Sequence, residues 1–286
     1  MEFNTILYQK MGKVAKITMN RPEVRNAQTR NMLCELDRAF AEAAEDEEVR
    51  VIVLAGAGPD FSAGHDLGSR EGLEERKVEA RWTNQLPGGV PPRVKFEEEI
   101  YLNTALRWRD IPKPTIAQVQ GNAIIAGFML ALACDLIVAA ENAKFLEHAI
   151  RWAAPSGEFC HHPWDLGARK AKELLFTGDA INAHEAYRLG LVNMVVPVER
   201  LEEETLKLAN KIAANDPFIL QLAKRTINEC QDIMGYRQAL RAAFYMHQLA
   251  HAHMLIKGEQ IGPRAAQGES PGDWAKRLAK EREEGT

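Results

Sequence analysis

Four short apolar runs limit what this chain can fold into. Residues 51–55 (Val-Ile-Val-Leu-Ala), 115–119, 136–139 and 191–196 each have the length of a strand. They are mostly apolar rather than strictly alternating, the profile of strands covered on both faces. Gly56 and Gly58 bound the first run. Helix-like stretches separate the runs, so strands and helices alternate and an α/β class follows. Ahead of them, residues 5–10 and 13–19 read as two strands around Met11-Gly12, with alternation in Val14 to Met19. A helix then begins at Asn26 or Thr29. Leu33, Leu36, Phe40 and Ala43 or Ala44 fall on one of its faces.

The character changes between residues 68 and 112. Residues 71–82 read as a charged, exposed helix, residues 87–92 as a Pro/Gly loop, and residues 94–109 as helix again. Insertions of this length often form a mobile lid or a pocket wall. Past Pro197 the strands stop. Residues 199–214 predict one helix, and Asp216-Pro217 starts another with an N-cap and a proline at the first helical position. Helix continues to about residue 257, and a charged helix closes the chain at 274–284. The expected organisation is a core at 1–198, carrying the 68–112 insertion, followed by a helical region at 199–286.

With 286 residues and a net charge of −4, the chain can bury a large core and has no basic surplus for nucleic acid. Cys34, Cys134, Cys160 and Cys230 are scattered without CxxC spacing, which fits unpaired thiols in a reducing compartment. The N-terminus has no secretory pattern and no apolar run reaches 18 residues, so the expectation is a cytoplasmic protein without a membrane partner.

The chemistry-bearing segments are Asn20-Arg21-Pro22-Glu23-Val24-Arg25-Asn26-Ala27, Asp60-Phe61-Ser62-Ala63-Gly64-His65-Asp66-Leu67 and residues 120–131, which include Ile125-Ala126-Gly127-Phe128-Met129. Small residues at 63–64 and 126–127 allow sharp turns and close approach to backbone N–H groups, at the start of a helix in the second case. In this order the segments resemble the crotonase (enoyl-CoA hydratase/isomerase) superfamily. Residues 111–114, 134–135, 143–145, 175–178 and 186–192 add to the likeness, which extends from residue 5 to about 225. The resemblance implies a crotonase-like α/β spiral of ββα repeats with a helical C-terminal trimerisation region, as a homotrimer or hexamer. It also implies an acyl-CoA substrate with no separate cofactor, coenzyme A being part of the thioester. The backbone N–H groups of His65 and Ala126 would form the oxyanion hole, a contribution of ~3–4 kcal/mol per donor. Val24, Arg25, Ala63, His65, Asp66 and Leu67 would line the coenzyme A channel.

The chain departs from the family where hydratases carry two glutamates. Met129 and Ala149 stand in those places and can neither hold nor deprotonate water. Substitute acid/base candidates are Glu158 first, then His148, with Glu147 and His161 behind them. Asp66 reads as capping the turn that follows it. Ile125, Met129, Ala149 and Trp152 are the candidate acyl pocket, and Phe128, Phe159 and Trp164 add bulk suited to a large or cyclic acyl group.

No metal is expected. His184-Glu185-Ala186-Tyr187-Arg188 lacks the second histidine of a zinc HExxH, and Asn182 reads as a helix cap there. His247, His251 and His253 could group on one helix but have no carboxylate or cysteine at matching spacing, which favours packing at a subunit contact. Isomerisation, hydration of an unusual enoyl-CoA and C–C hydrolysis of a β-dicarbonyl all remain open, against the alternative of a non-catalytic acyl-CoA-binding or assembly subunit.

Overall fold

The computed structural model describes residues 3–69 and 90–257, together with Asp273 and Arg277. The expected helix at 71–82 and the C-terminal helix at 274–284 fall largely outside these residues. Six strands form the main sheet in the order β1 (Ile6–Met11), β2 (Val14–Met19), β3 (Val51–Gly56), β4 (Thr115–Val119), β6 (Leu136–Ala140) and β9 (Met194–Val196). Only the β1–β2 hairpin is antiparallel; the other neighbours run parallel. The apolar runs are covered on both faces, as their composition predicts. In β3, Ile52 and Leu54 enter one core, while Val51 and Val53 enter the other.

The first core lies under α1 (Arg30–Glu45), which buries Leu33, Leu36 and Phe40. Thr29 caps this helix, its side chain accepting from the Met32 N–H. The second core lies under α7 (Leu201–Ala213), preceded by a 3₁₀ turn at Val198–Arg200, so the helix predicted from 199 begins two residues later. Lys16 on this face pairs with Glu202 of α7.

Three further features differ from the sequence reading. The helix expected from 94 begins at Val90, inside the expected Pro/Gly loop, since prolines are tolerated in a helix's first turn. The run at 191–196 yields a strand only at Met194–Val196, because Leu191 and Val192 are used to bury the preceding turn. A second sheet also forms, in the order β5 (Asn122–Ile124), β7 (Lys144–Leu146) and β8 (Ala180–Asn182). Each of its strands is three residues long, too short to show a period.

α2 (Val90–Glu97) leads through a π-helical turn at Glu98–Asn103 into α3 (Thr104–Arg109). Next come α4 (Ala126–Leu132), α5 (His162–Thr177) and α6 (Ala183–Arg188), the last capped by Asn182 as expected. The C-terminal helices are α8 (Pro217–Ile233) and α9 (Tyr236–Ile256). Asp216 caps α8 by accepting from the Phe218 and Ile219 N–H groups.

Candidate active site

The loop after β3 is sewn onto the turn before α1 and onto β5. Ala63 N donates to Arg25 O, Gln28 N to Gly64 O and Asp66 N to Gln28 O, at 2.8–2.9 Å. Buried Asn26 braces the same junction, its amide donating to the carbonyls of Ala57 and Asp60. On the other side Ser62 N donates to Asn122 O and Ile124 N to Ser62 O. The segments carrying Val24, Arg25, Ala63, His65, Asp66 and Leu67 therefore come together.

Asp66 caps its turn by accepting from Ser69 N at 2.8 Å and pairs with Arg21 at 2.8 Å. Burial works against its ionised form, but the hydrogen bonds of Ser69 and Arg21 prevail and its carboxyl is held below the usual range. Arg25 is largely exposed, 3.7 Å from Asp60.

Gly64 decides how near the loop comes to α4. Its φ is +85°, and a Cβ there would stand 2.7 Å from Ile124 O and 3.4 Å from Ala126 N. The backbones of residues 64 and 126 thus meet without a side chain between them. Among the described residues, neither the His65 N–H nor the Ala126 N–H donates to a backbone carbonyl. Ile125, just before α4, adopts φ +43° and ψ −100°. This is a strained conformation for a β-branched residue.

The segment before α5 packs against the first turn of α4. A Cβ on Gly157 would meet Met129 Sδ at 2.9 Å and Ile125 Cγ2 at 3.3 Å. The next residue, Glu158, is buried with its Oε2 3.4 Å from His65 Nε2 and its Oε1 3.5 Å from His247 Nε2. Burial would raise the Glu158 pKa, but the two imidazoles outweigh it and hold the carboxyl well below the ordinary range. The His65 ring stacks on Tyr101 of the π-helical turn, with centroids 4.0 Å apart. Tyr101, His65, Ala126, Met129 and Trp108 wall a small, mostly apolar cavity.

The other acid/base candidates have different surroundings, and Glu147 touches the Glu158 segment itself. Glu147 is fully buried, accepts from Gly157 N at 3.1 Å and lies 3.4 Å from His162 Nε2. Burial and the nearby Glu158 push its pKa up to about 8. His148 stands parallel to Trp152, and burial, then Arg151, lower its pKa to about 4. His161 is paired with Asp165 and packs edge-on against Tyr236. Of the acyl-pocket candidates, Met129 lines the cavity, Ile125 touches the Gly157 segment, buried Ala149 begins a 3₁₀ turn, and Trp152 ends that turn.

Sequence reasoning missed Glu97 and set aside the histidines that reach it. Glu97 Oε2 lies 3.9 Å from His247 Nε2 and 3.6 Å from His251 Nδ1, and it accepts from Gln248 at 2.6 Å. Its other oxygen accepts from Arg93 at 2.7 Å. Burial opposes ionisation of Glu97, but His251 and Arg93 lower its pKa to about 2. The spacing of His247 and His251 one helical turn apart was the available signal; their acidic neighbour comes from a distant helix.

Residues 9–260 match the family model described as enoyl-CoA hydratase/isomerase. EchA13 of Mycobacterium tuberculosis, which carries a provisional enoyl-CoA hydratase name, is 44% identical over 93% of this chain and 86% of its own length. A short-chain-enoyl-CoA hydratase of Clostridium acetobutylicum is 35% identical over 80% of this chain and 82% of its own. A crystal structure of a probable enoyl-CoA hydratase from Mycobacterium thermoresistibile aligns with a TM-score of 0.80 at 42% identity, covering 88% of this chain and 98% of that one. The mixed α/β fold with its parallel sheet and helical C-terminal region is shared with such structures.

Proposed function

Because this chain belongs to the enoyl-CoA hydratase/isomerase family, we propose that it polarises an acyl-CoA thioester with the His65 and Ala126 N–H groups and moves the α-proton with Glu158. The observation that carries this reading is the buried Glu158 carboxylate against the side chain of His65. One residue would thus contribute its backbone to the thioester oxygen and its ring to the base. An ionised carboxylate can accept the α-proton, with a basicity reduced by the same imidazoles that keep it charged, and paired N–H donors would hold the enolate oxygen. With Met129 and Ala149 at the hydratase positions, the chemistry rests on one carboxylate. That favours an isomerase, an unusual hydratase or a C–C hydrolase over two-glutamate hydration. The turns at 24–25 and 63–67 would hold coenzyme A, with Arg25 free to meet a phosphate.

A homotrimer or hexamer is part of this reading. α8 has no buried residue, and Phe218, Ile219 and Ile227 on it are each at least 60% exposed. Apolar faces of that kind fit a subunit contact.

The test is a panel of straight-chain, branched and ring-bearing CoA thioesters incubated with the full-length protein in D2O and followed by mass. Deuterium at the α-carbon, or a product of changed mass, is expected with wild type and lost in Glu158→Gln. A protein that binds these thioesters but neither exchanges nor converts any of them is a non-catalytic binding subunit, and the proposal fails.

A further inference from the structure

Glu97 on α2 and His247 and His251 on α9 bring three ligand-type atoms together: Glu97 Oε2, His247 Nε2 and His251 Nδ1 all lie within 4.8 Å of one another. All three residues are buried. Among the described residues neither nitrogen has a partner closer than 3.5 Å, although both face a carboxylate oxygen. The distances of 3.6 Å and 3.9 Å to Glu97 are too long for a charge-assisted N–H···O bond, which spans about 2.7–2.9 Å. They lie close to another value. Ligand bonds of about 2.0–2.1 Å around a tetrahedral ion set neighbouring donors roughly 3.3–3.5 Å apart.

The tautomer of His247 agrees. Its Nδ1 is 2.7 Å from Ser156 O, and a carbonyl can only accept, so Nδ1 carries the proton. Nε2 is then the ring nitrogen left facing Glu97 and Glu158. Ligating histidines commonly have this support, one ring N–H given to a backbone carbonyl and the other nitrogen to the metal. Gln248 and Arg93 hold the Glu97 carboxylate by both oxygens, fixing its orientation.

We propose that Glu97, His247 and His251 bind a divalent first-row transition-metal ion of the zinc type, next to Glu158. Two imidazoles and one carboxylate form a borderline donor set that suits Zn²⁺ or Co²⁺ over Mg²⁺ or Ca²⁺, which prefer oxygen. Three protein donors leave a fourth position for solvent or substrate. Glu158 lies beside His247 and outside the three-donor set. The site stands whichever thioester reaction the neighbouring carboxylate serves.

The test uses chelator-treated, full-length protein equilibrated with ZnCl₂, CoCl₂, MgCl₂ or CaCl₂, desalted and analysed for metal by mass spectrometry. About one Zn²⁺ or Co²⁺ per chain is expected, with no retained Mg²⁺ or Ca²⁺. The Co²⁺ form should show the strong visible absorption of a four-coordinate ion. His251→Gln and Glu97→Gln should each weaken Zn²⁺ binding by at least about tenfold, while His253→Gln, at an exposed position on the same helix, should not. Circular dichroism of the variants separates ligand loss from unfolding. Wild-type protein retaining less than about 0.1 Zn²⁺ and Co²⁺ per chain overturns the proposal. So does equal retention by folded His251→Gln and His253→Gln proteins.

Discussion

His65 Nε2 stands 3.4 Å from Glu158 Oε2 across 93 positions of sequence, tying the loop after β3 to the segment before α5. The contact couples the loop that carries His65 to a buried carboxylate.

Replacing Glu158 by Gln keeps the shape and removes the base. On the proposed reading kcat should fall by about 10²–10⁴, with KM changed by less than about threefold. Steady-state kinetics on whichever thioester the wild type converts will check this. A loss confined to KM would assign Glu158 to binding instead.

Gly64 should tolerate no side chain. Gly64→Ala would force a methyl to 2.7 Å from Ile124 O at a φ of +85°. A destabilisation of about 1–3 kcal/mol in urea unfolding is expected, with loss of activity beyond what stability explains. Unchanged stability would mean that the loop can retreat from β5.

Ile125 should behave in the opposite way. Its φ of +43° is one that glycine adopts without strain. Ile125→Gly should therefore remain within about 1 kcal/mol of wild type, because relief of strain offsets the lost side chain. Ile124→Gly, in the extended strand β5, has no such relief and should cost more in the same urea titration.

Stability should fall as pH rises from about 6.5 to 8, through Glu147. Its folded pKa of about 8 lies above the unfolded value of 4.5, so the folded state binds the extra proton and loses that advantage as pH climbs. Below 6.5 His162 opposes the trend: burial lowers its pKa to about 3, so folding costs it a proton. In the upper window Glu147 acts without that opposition. Urea titrations at pH 6.5 and 8.5 should differ by roughly 1–2 kcal/mol, and Glu147→Gln should flatten the difference.

Local chemistry alone determined much of this protein. Two-sided apolar runs predicted buried strands, and Asn182 and Asp216 marked helix starts, with Thr29 one of two candidates for the first, because a cap acts within three residues. The three motif segments were enough to indicate the family and the turns that now pack together. Tertiary structure decided the rest. The small sheet escaped notice because three-residue strands gain their stability from partners rather than from pattern. Glu158 was picked out by sequence, but its charge state depends on two imidazoles from distant segments. Glu97 could not be found at all: Gln248, beside the histidines it meets, is 151 positions away. A side chain's pKa and ligands depend on distance in space and exclusion of water, and neither is written in the order of residues.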